Sequence, residues 1–391
     1  MTETGHSFAR SEIGPILIVS LVSALRLLGI FLILPVFSAY AVNYRGATLA
    51  LAGTAFGIYA LTQCIFQIPL GWASDRWGRR PALLGGLALF TLGSLGCALA
   101  NDILQLILAR ALQGSGAVGS VALAALADLT RPTVRTQAFT IAGIAIGSAF
   151  IIGLLGGPLL AAKFGFSGLF YILATLAFLS MILAAVSFPE QAKSQRGETP
   201  LGLRPIMRNA ELRPIFIAAF ILSFALNLFF FTYPLSWIDV GFEKSELWKV
   251  YLIVFLPSAV FVFPYVRIAE RRSRLRFPTL VGWLTATVGY ALYLFAAGHQ
   301  LLLYVSGACF FFGYSLYQPL LPSFLTQRIP IGGRGTATSL YALFGFVGSS
   351  LGGIMAGTLS HVEPSLPKLV GVTLLLVWLT AGLPNAPEPG A

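Results

Sequence analysis

Gly71-Trp-Ala-Ser-Asp75-Arg76-Trp-Gly78-Arg79-Arg80 sets one carboxylate and three arginines between two apolar stretches, each long enough to cross a bilayer. Working outward from it, apolar runs near twenty residues recur along the whole chain, the length a helix needs to cross about 30 Å of hydrocarbon. With 57% hydrophobic and only 10% charged residues, the 391-residue chain is not an ordinary soluble protein, in which about a quarter of residues are charged. The apolar runs are continuous rather than alternating, which selects helices over a β-barrel. Twelve spans are predicted, at 13–40, 48–73, 79–100, 102–127, 134–161, 167–187, 212–236, 247–268, 276–297, 300–326, 333–360 and 365–385. The predicted fold class is therefore all-α integral membrane.

A formal charge of +11 invites a nucleic-acid reading, but its distribution argues against one. Counting from an internal N-terminus, the even-numbered connections carry most of the arginines, among them Arg76, Arg79, Arg80, Arg131, Arg135, Arg271, Arg328 and Arg334. The odd-numbered connections hold only Arg45, Lys163, Lys244, Lys249 and Lys368. This bias is the positive-inside rule, and it predicts that both termini are cytoplasmic. Lipid headgroups account for most of these charges, so membrane lipids rather than nucleic acid are the expected partners. The first apolar run outlasts a signal-peptide core and is read as span 1. Cys64, Cys97 and Cys309 are isolated within spans and the three histidines are scattered, so neither a disulfide, a metal site nor a cofactor is expected.

The polar stretch 189–211 separates two blocks of six spans. The expected organisation is an N-terminal six-helix bundle over 1–188, a cytoplasmic linker over 189–211 and a C-terminal six-helix bundle with a short tail over 212–391. The chain ends soon after span 12 in a Pro-rich tail at 384–389, and no further soluble domain is expected. The halves echo each other: Asp128-Leu-Thr-Arg131 follows span 4 and Leu325-Thr-Gln-Arg328 follows span 10, and a Gly-rich span comes after each. Repeated halves related about the membrane normal are a transporter architecture, with the substrate site near midplane.

Gly71 lies one helical turn before Asp75 and would let a neighbouring helix approach above the carboxylate. Asp75 could then face the positive start of another helix, a contact worth about 0.3–1 kcal/mol when exposed. A topology anchor alone would explain Arg79 and Arg80, but not Gly71 or Asp75. Arg26 and Arg110 are the two basic residues inside spans. An arginine at the bilayer centre costs about 2.5–3.5 kcal/mol on insertion scales, so both should face protein or a wet cavity. Helix packing through backbone carbonyls and glutamines, or a functional role, would each satisfy that requirement.

Taken together, Gly71-x-x-x-Asp75-Arg76-x-Gly78-Arg79-Arg80 resembles motif A of the major facilitator superfamily. Arg110-Ala-Leu-Gln113-Gly114-Ser-Gly116 resembles its motif B, and Gly153-Leu-Leu-Gly156-Gly157-Pro158 resembles motif C of the drug/proton antiporter branch, with Ala161 where a further glycine is common. Ser23-Ala-Leu-Arg26-Leu-Leu-Gly29 and Tyr59-Ala-Leu-Thr-Gln63-Cys-Ile-Phe-Gln67 are similar to the YajR-type branch of efflux transporters. The resemblance covers the whole chain. It implies that motif A locks the outward-open state, with Asp75 meeting the start of span 11 and Asp128 joining Arg76 and Arg135. It also links Arg110 to proton coupling, and the glycines with Pro158 to antiport.

Polar and aromatic residues in or beside spans 1, 4, 7 and 10 are candidates to line a substrate cavity: Arg26, Tyr40, Gln63, Gln67, Gln113, Asn227, Tyr233, Tyr314, Tyr317, Gln318 and Tyr341. Buried amides and phenols need partners, which favours a wet site over lipid. No span carries an Asp or Glu near midplane, where proton-coupled transporters usually keep a titratable acid. Proton antiport therefore follows from the resemblance and not from an identified acid; Asp75, Asp128, Asp239 or the substrate itself are the available proton carriers.

The expected function is secondary active transport of small organic molecules by alternating access in a bacterial cytoplasmic (inner) membrane, as efflux of apolar or cationic compounds with protons as a candidate partner. The chain is expected to act as a monomer. A facilitator for a metabolite or organic anion using Arg26 and Arg110 is the rival within the class, and a non-transporting scaffold or sensor the rival outside it. An enzyme is not expected, since no nucleophile, base and orienting group come together.

Overall fold

The structure, a computed structural model, describes residues 8, 10–131, 133–188, 203–271, 276–329, 333–380 and 382. The greater part of the expected linker, 189–202, and the Pro-rich tail at 384–389 lie outside the described residues. In chain order the helices are α1 (Arg10–Ile33), α2 (Phe37–Ala41), α3 (Leu49–Trp77), α4 (Arg79–Leu99), α5 (Ile103–Ser115), α6 (Gly119–Asp128) and α7 (Arg135–Ser187). They continue with α8 (Leu203–Arg208), α9 (Arg213–Asp239), α10 (Leu247–Arg271), α11 (Arg276–Leu294), α12 (Gln300–Gln327), α13 (Arg334–Val362) and α14 (Leu366–Thr380).

Ten of the described helical segments are long and apolar enough to cross a membrane. The stretch α7 holds two helices joined across a kink at Gly165, φ 73°, where the connection between spans 5 and 6 is expected. A left-handed φ reverses the chain in one residue without a loop, and glycine adopts it without a Cβ clash. Pro158, seven residues earlier, stays within helical dihedrals. Span 4 is also divided: α5 ends at Ser115 and α6 starts at Gly119. Gly78, at φ 102°, makes the turn from α3 to α4.

Two compact units emerge, one of residues 1–47 and 58–197, the other of residues 48–57 and 198–391. In the first unit α1 and α4 pack on α7, and α5 packs on α4. In the second α9 packs on α13, and α11 on α12. The corresponding spans of the two halves thus pair alike, span 1 with 5 and span 7 with 11, as the internal repeat predicts. Glycine makes the pairing possible in both units. A Cβ on Gly153 would stand 2.5 Å from Phe31 Cβ, and one on Gly157 would overlap the Leu32 carbonyl oxygen. In the second unit, Cβ atoms on Gly348 and Gly352 would overlap the carbonyl oxygens of Phe220 and Phe224. Helices in lipid gain little from apolar burial against one another, so close backbone approach through small residues carries the association.

Candidate functional sites

At one end of the first unit, where α3 gives way to α4, the motif A residues form a hub on one side chain. Arg79 is 7% exposed. Its Nη1 donates to Asp75 Oδ1 at 2.6 Å and to Ser74 Oγ at 2.9 Å, and its Nε donates to Asp128 Oδ2 at 2.8 Å. The planar guanidinium can serve acceptors on two sides at once, which an ammonium point charge does less well. The resemblance had placed Asp128 with Arg76 and Arg135, and the structure corrects this. Arg76 lies 5.2 Å over the ring of Trp72. Arg135 donates to the Thr130 carbonyl at 3.5 Å, and its Nε is buried without a partner among the described residues. The reason is position: Gly78 turns the chain so that Arg79, the first residue of α4, faces back toward the end of α3.

Gly71 also departs from expectation. A Cβ there would have open space around it among the described residues, so no neighbouring helix uses the gap. Gly114, by contrast, is used, since a Cβ there would overlap Thr62 Oγ1 and the Tyr59 carbonyl oxygen where α5 crosses α3. Arg80 donates to the Ala185 carbonyl and ties the start of α4 to the end of α7.

Nearby is an ion pair not singled out from sequence. Glu12, 6% exposed on α1, accepts from Arg131 N at 2.9 Å, Nε at 3.1 Å and Nη2 at 3.1 Å. A short-range signal for it is lacking, because 119 residues separate the partners. Three donors on one buried carboxylate make it a strap from α1 to the α6–α7 connection. Glu12→Ala is expected to lower stability by about 1–3 kcal/mol, since it removes a buried carboxylate that accepts three hydrogen bonds, while the 42% exposed Arg131 side chain can still be solvated. Thermal unfolding of the purified protein checks this, and Glu12→Gln should lose less because it keeps an acceptor.

Deeper in the first unit, the motif B residues and span 1 come together. Arg110 is 4% exposed and donates from Nη1 to Gln113 Oε1 at 2.5 Å. Gln113 in turn donates to Ser94 Oγ at 2.8 Å. The Arg110 guanidinium lies 4.6 Å from the ring centre of Tyr59 and 5.3 Å from that of Phe37, a cation held by aromatic faces. Arg26, also 4% exposed, lies close enough to Tyr59 to interact with it electrostatically, as Arg110 does. The Nη1 of Arg26 is buried and has no hydrogen-bond partner among the described residues. Gln63 and Gln67 follow Tyr59 along α3, the first buried and the second half-buried. Tyr40 stacks on Phe166 at 5.5 Å. Gln113→Leu is expected to cost about 1–3 kcal/mol, because it removes the buried hydrogen bonds that Gln113 makes with Arg110 and Ser94. The midpoint of thermal unfolding reads it directly.

In the second unit Tyr314, Tyr317, Gln318 and Tyr341 line one cavity with Ala219, Leu222, Ser223 and Leu321. Gln318 donates to the Tyr314 hydroxyl. Tyr317 is anchored through its hydroxyl to the Thr279 carbonyl at 2.5 Å, and Asn227 donates to the Ser223 carbonyl at 2.9 Å. Tyr233 does not join this set. It is fully buried, stacked on Phe229 at 4.3 Å, and donates to the Leu303 carbonyl at 2.8 Å. Its polarity suggested a wet cavity; a carbonyl within the aromatic core satisfies the hydroxyl instead.

Residues 19–353 match the family described as Major Facilitator Superfamily. The chain is 35% identical over 367 residues to the inner membrane transport protein YajR of Escherichia coli (strain K12), covering 92% of this chain and 80% of that one. It is 27% identical over 373 residues to the multidrug resistance protein MdtH of Aeromonas salmonicida (strain A449), covering 91% and 92%. A bacterial homolog of the human lysosomal transporter Spinster, solved inward-facing and occupied, superposes with a TM-score of 0.78 at 15% identity, covering 96% of this chain and 97% of that one. At that identity the likeness establishes the fold.

Proposed function

The chain belongs to the Major Facilitator Superfamily, a multi-pass membrane transporter and not an enzyme, and from that premise we propose that it exports small organic molecules by alternating access across a bacterial inner membrane. The observation that carries this reading is the Arg79 hub. A buried guanidinium shared by one carboxylate whose side chain is 61% exposed and one that is 17% exposed suits a latch with a releasable side. The exposed arm is weak and can be exchanged for another partner, while the sheltered arm keeps Arg79 in place. A static scaffold has no use for such an arrangement.

We read the chain as twelve spans in two six-helix bundles, 1–188 and 212–391, with both termini cytoplasmic. The turn at Gly165 within α7 and the shorter apolar helix α14 support that count, and the arginine bias supports the orientation. An inner-membrane location accords with the name of the YajR relative. For the substrate, the multidrug relatives favour apolar or cationic compounds. A second reading, an organic anion held by Arg26 and Arg110, is favoured by the unpartnered Nη1 of Arg26 and by the absence of carboxylates near midplane in the spans.

Proteoliposomes loaded separately with tetraphenylphosphonium, ethidium and benzoate test the function. Efflux of at least one above the rate of protein-free liposomes is expected, together with its loss in Arg79→Ala. Equal rates with and without protein for all three would sink the transport reading. An imposed pH gradient that leaves the flux unchanged would rule out proton coupling through Asp75, Asp128, Asp239 or any other group.

A further inference from the structure

We infer that the first unit contains a carboxylate-binding site formed by Arg26 and the uncapped start of α6, and that the substrate is a small organic anion with an apolar body. This deepens the second, organic-anion reading above and rests on the transporter reading. The first observation is the buried Nη1 of Arg26, a charged donor with no acceptor among the described residues. A buried donor of that kind is costly unless something accepts from it.

The second observation is the division of span 4. α6 begins at Gly119 with no side chain capping it, so its first turn presents amide donors and the positive end of a helix dipole. Arg26 lies against this turn: a Cβ on Gly119 would be 3.3 Å from Arg26 Nη2. Ser120, the next residue, has a buried hydroxyl that is also without a partner among the described residues. A half-helix start within the bilayer beside a cation is a recurrent way to receive an anionic substrate group.

The third observation is charge. Residues 8–188 contain four acids, Glu12, Asp75, Asp102 and Asp128. Glu12 is engaged by Arg131, Asp75 and Asp128 by Arg79, and Asp102 caps α5 through Gln105 N. None pairs with Arg26. Arg26 thus stands beside a helix start with none of the four acids of residues 8–188 paired to it, and a bound carboxylate would supply the balancing charge. The fork of a guanidinium matches a carboxylate, while the Tyr59 and Phe37 rings supply an apolar wall.

The test uses the purified full-length protein and three carboxylates, benzoate, salicylate and hexanoate, against benzamide and chloride. Saturating carboxylate is expected to raise the unfolding midpoint by about 4 °C or more. Benzamide and chloride should not. Arg26→Gln should abolish the shift. Gly119→Asp supplies the anion from within: it should raise the midpoint of the unliganded protein and remove the response to benzoate, whereas Gly119→Asn should do neither. No shift with any carboxylate, an equal shift with benzamide or chloride, or a shift that survives Arg26→Gln overturns the site. Benzoate flux in proteoliposomes separates the two readings. Binding without flux would leave the site and remove the transport function; flux indifferent to Arg26→Gln would leave transport and remove the site.

Discussion

Arg79→Ala is expected to cost about 3–5 kcal/mol of stability, the range for breaking a buried charge pair by removing one partner. Asp128, whose side chain is 17% exposed, loses its hydrogen bond to Arg79, and Ser74 and Asp75 lose theirs as well. Asp75→Asn should cost under about 1 kcal/mol, because that carboxylate is largely in water and its attraction is screened. The two substitutions therefore separate stability from switching. Arg79→Ala should lower both the unfolding midpoint and transport, whereas Asp75→Asn should change transport with the midpoint nearly unmoved. Arg79→Lys should recover only part of the loss, since an ammonium does not reproduce the two-sided guanidinium geometry. Equal midpoints for wild type and Arg79→Ala would show that the hub does not hold the unit together.

Gly157→Leu is expected to be the most damaging of the glycine substitutions in α7. Its first added carbon would overlap a backbone oxygen of α1, and backbone cannot swing aside as a flexible side chain can. Overpacking of this kind costs about 1–3 kcal/mol and more where nothing can yield. Gly147 provides the control on the same helix, with open space at its Cβ position. Gly147→Ala should be neutral or stabilise by about 0.5–1 kcal/mol, the helix-propensity difference. Membrane accumulation and thermal unfolding of the pair would distinguish close packing from any antiport role of motif C. If Gly157→Leu folds with a wild-type midpoint yet loses transport, packing is not what the glycine does.

The hub shows how far motif reading reached. Asp75, Arg79 and Asp128 were all selected from sequence, but the partners were assigned differently. A motif records which residue types recur, whereas the direction in which each points depends on a single left-handed residue, Gly78, and on the register of α4 against α6. Gly71 illustrates the converse: its spacing from Asp75 suited a close helix contact, yet helix spacing says nothing about whether a neighbour stands there. The Glu12–Arg131 strap had no local signal at all. Cavity residues divided for a related reason. Tyr314, Tyr317, Gln318 and Tyr341 share one cavity, and Tyr233 finds a carbonyl in the core. Polarity reports only that a partner is needed, and the three-dimensional surroundings supply either water or backbone.

By itself the sequence determined the solvent, the helical class, the repeat and the charge bias, because each follows from composition and period along the chain. Bilayer thickness dictates span length, and hydrogen-bond satisfaction in lipid dictates helix. The tertiary structure alone decided that Arg79 rather than Arg76 gathers the carboxylates, that span 4 breaks beside Arg26, and that Arg26 retains an unsatisfied donor. Those are properties of facing elements far apart in the chain, and only their packing brings such groups within hydrogen-bond distance or leaves them without a partner.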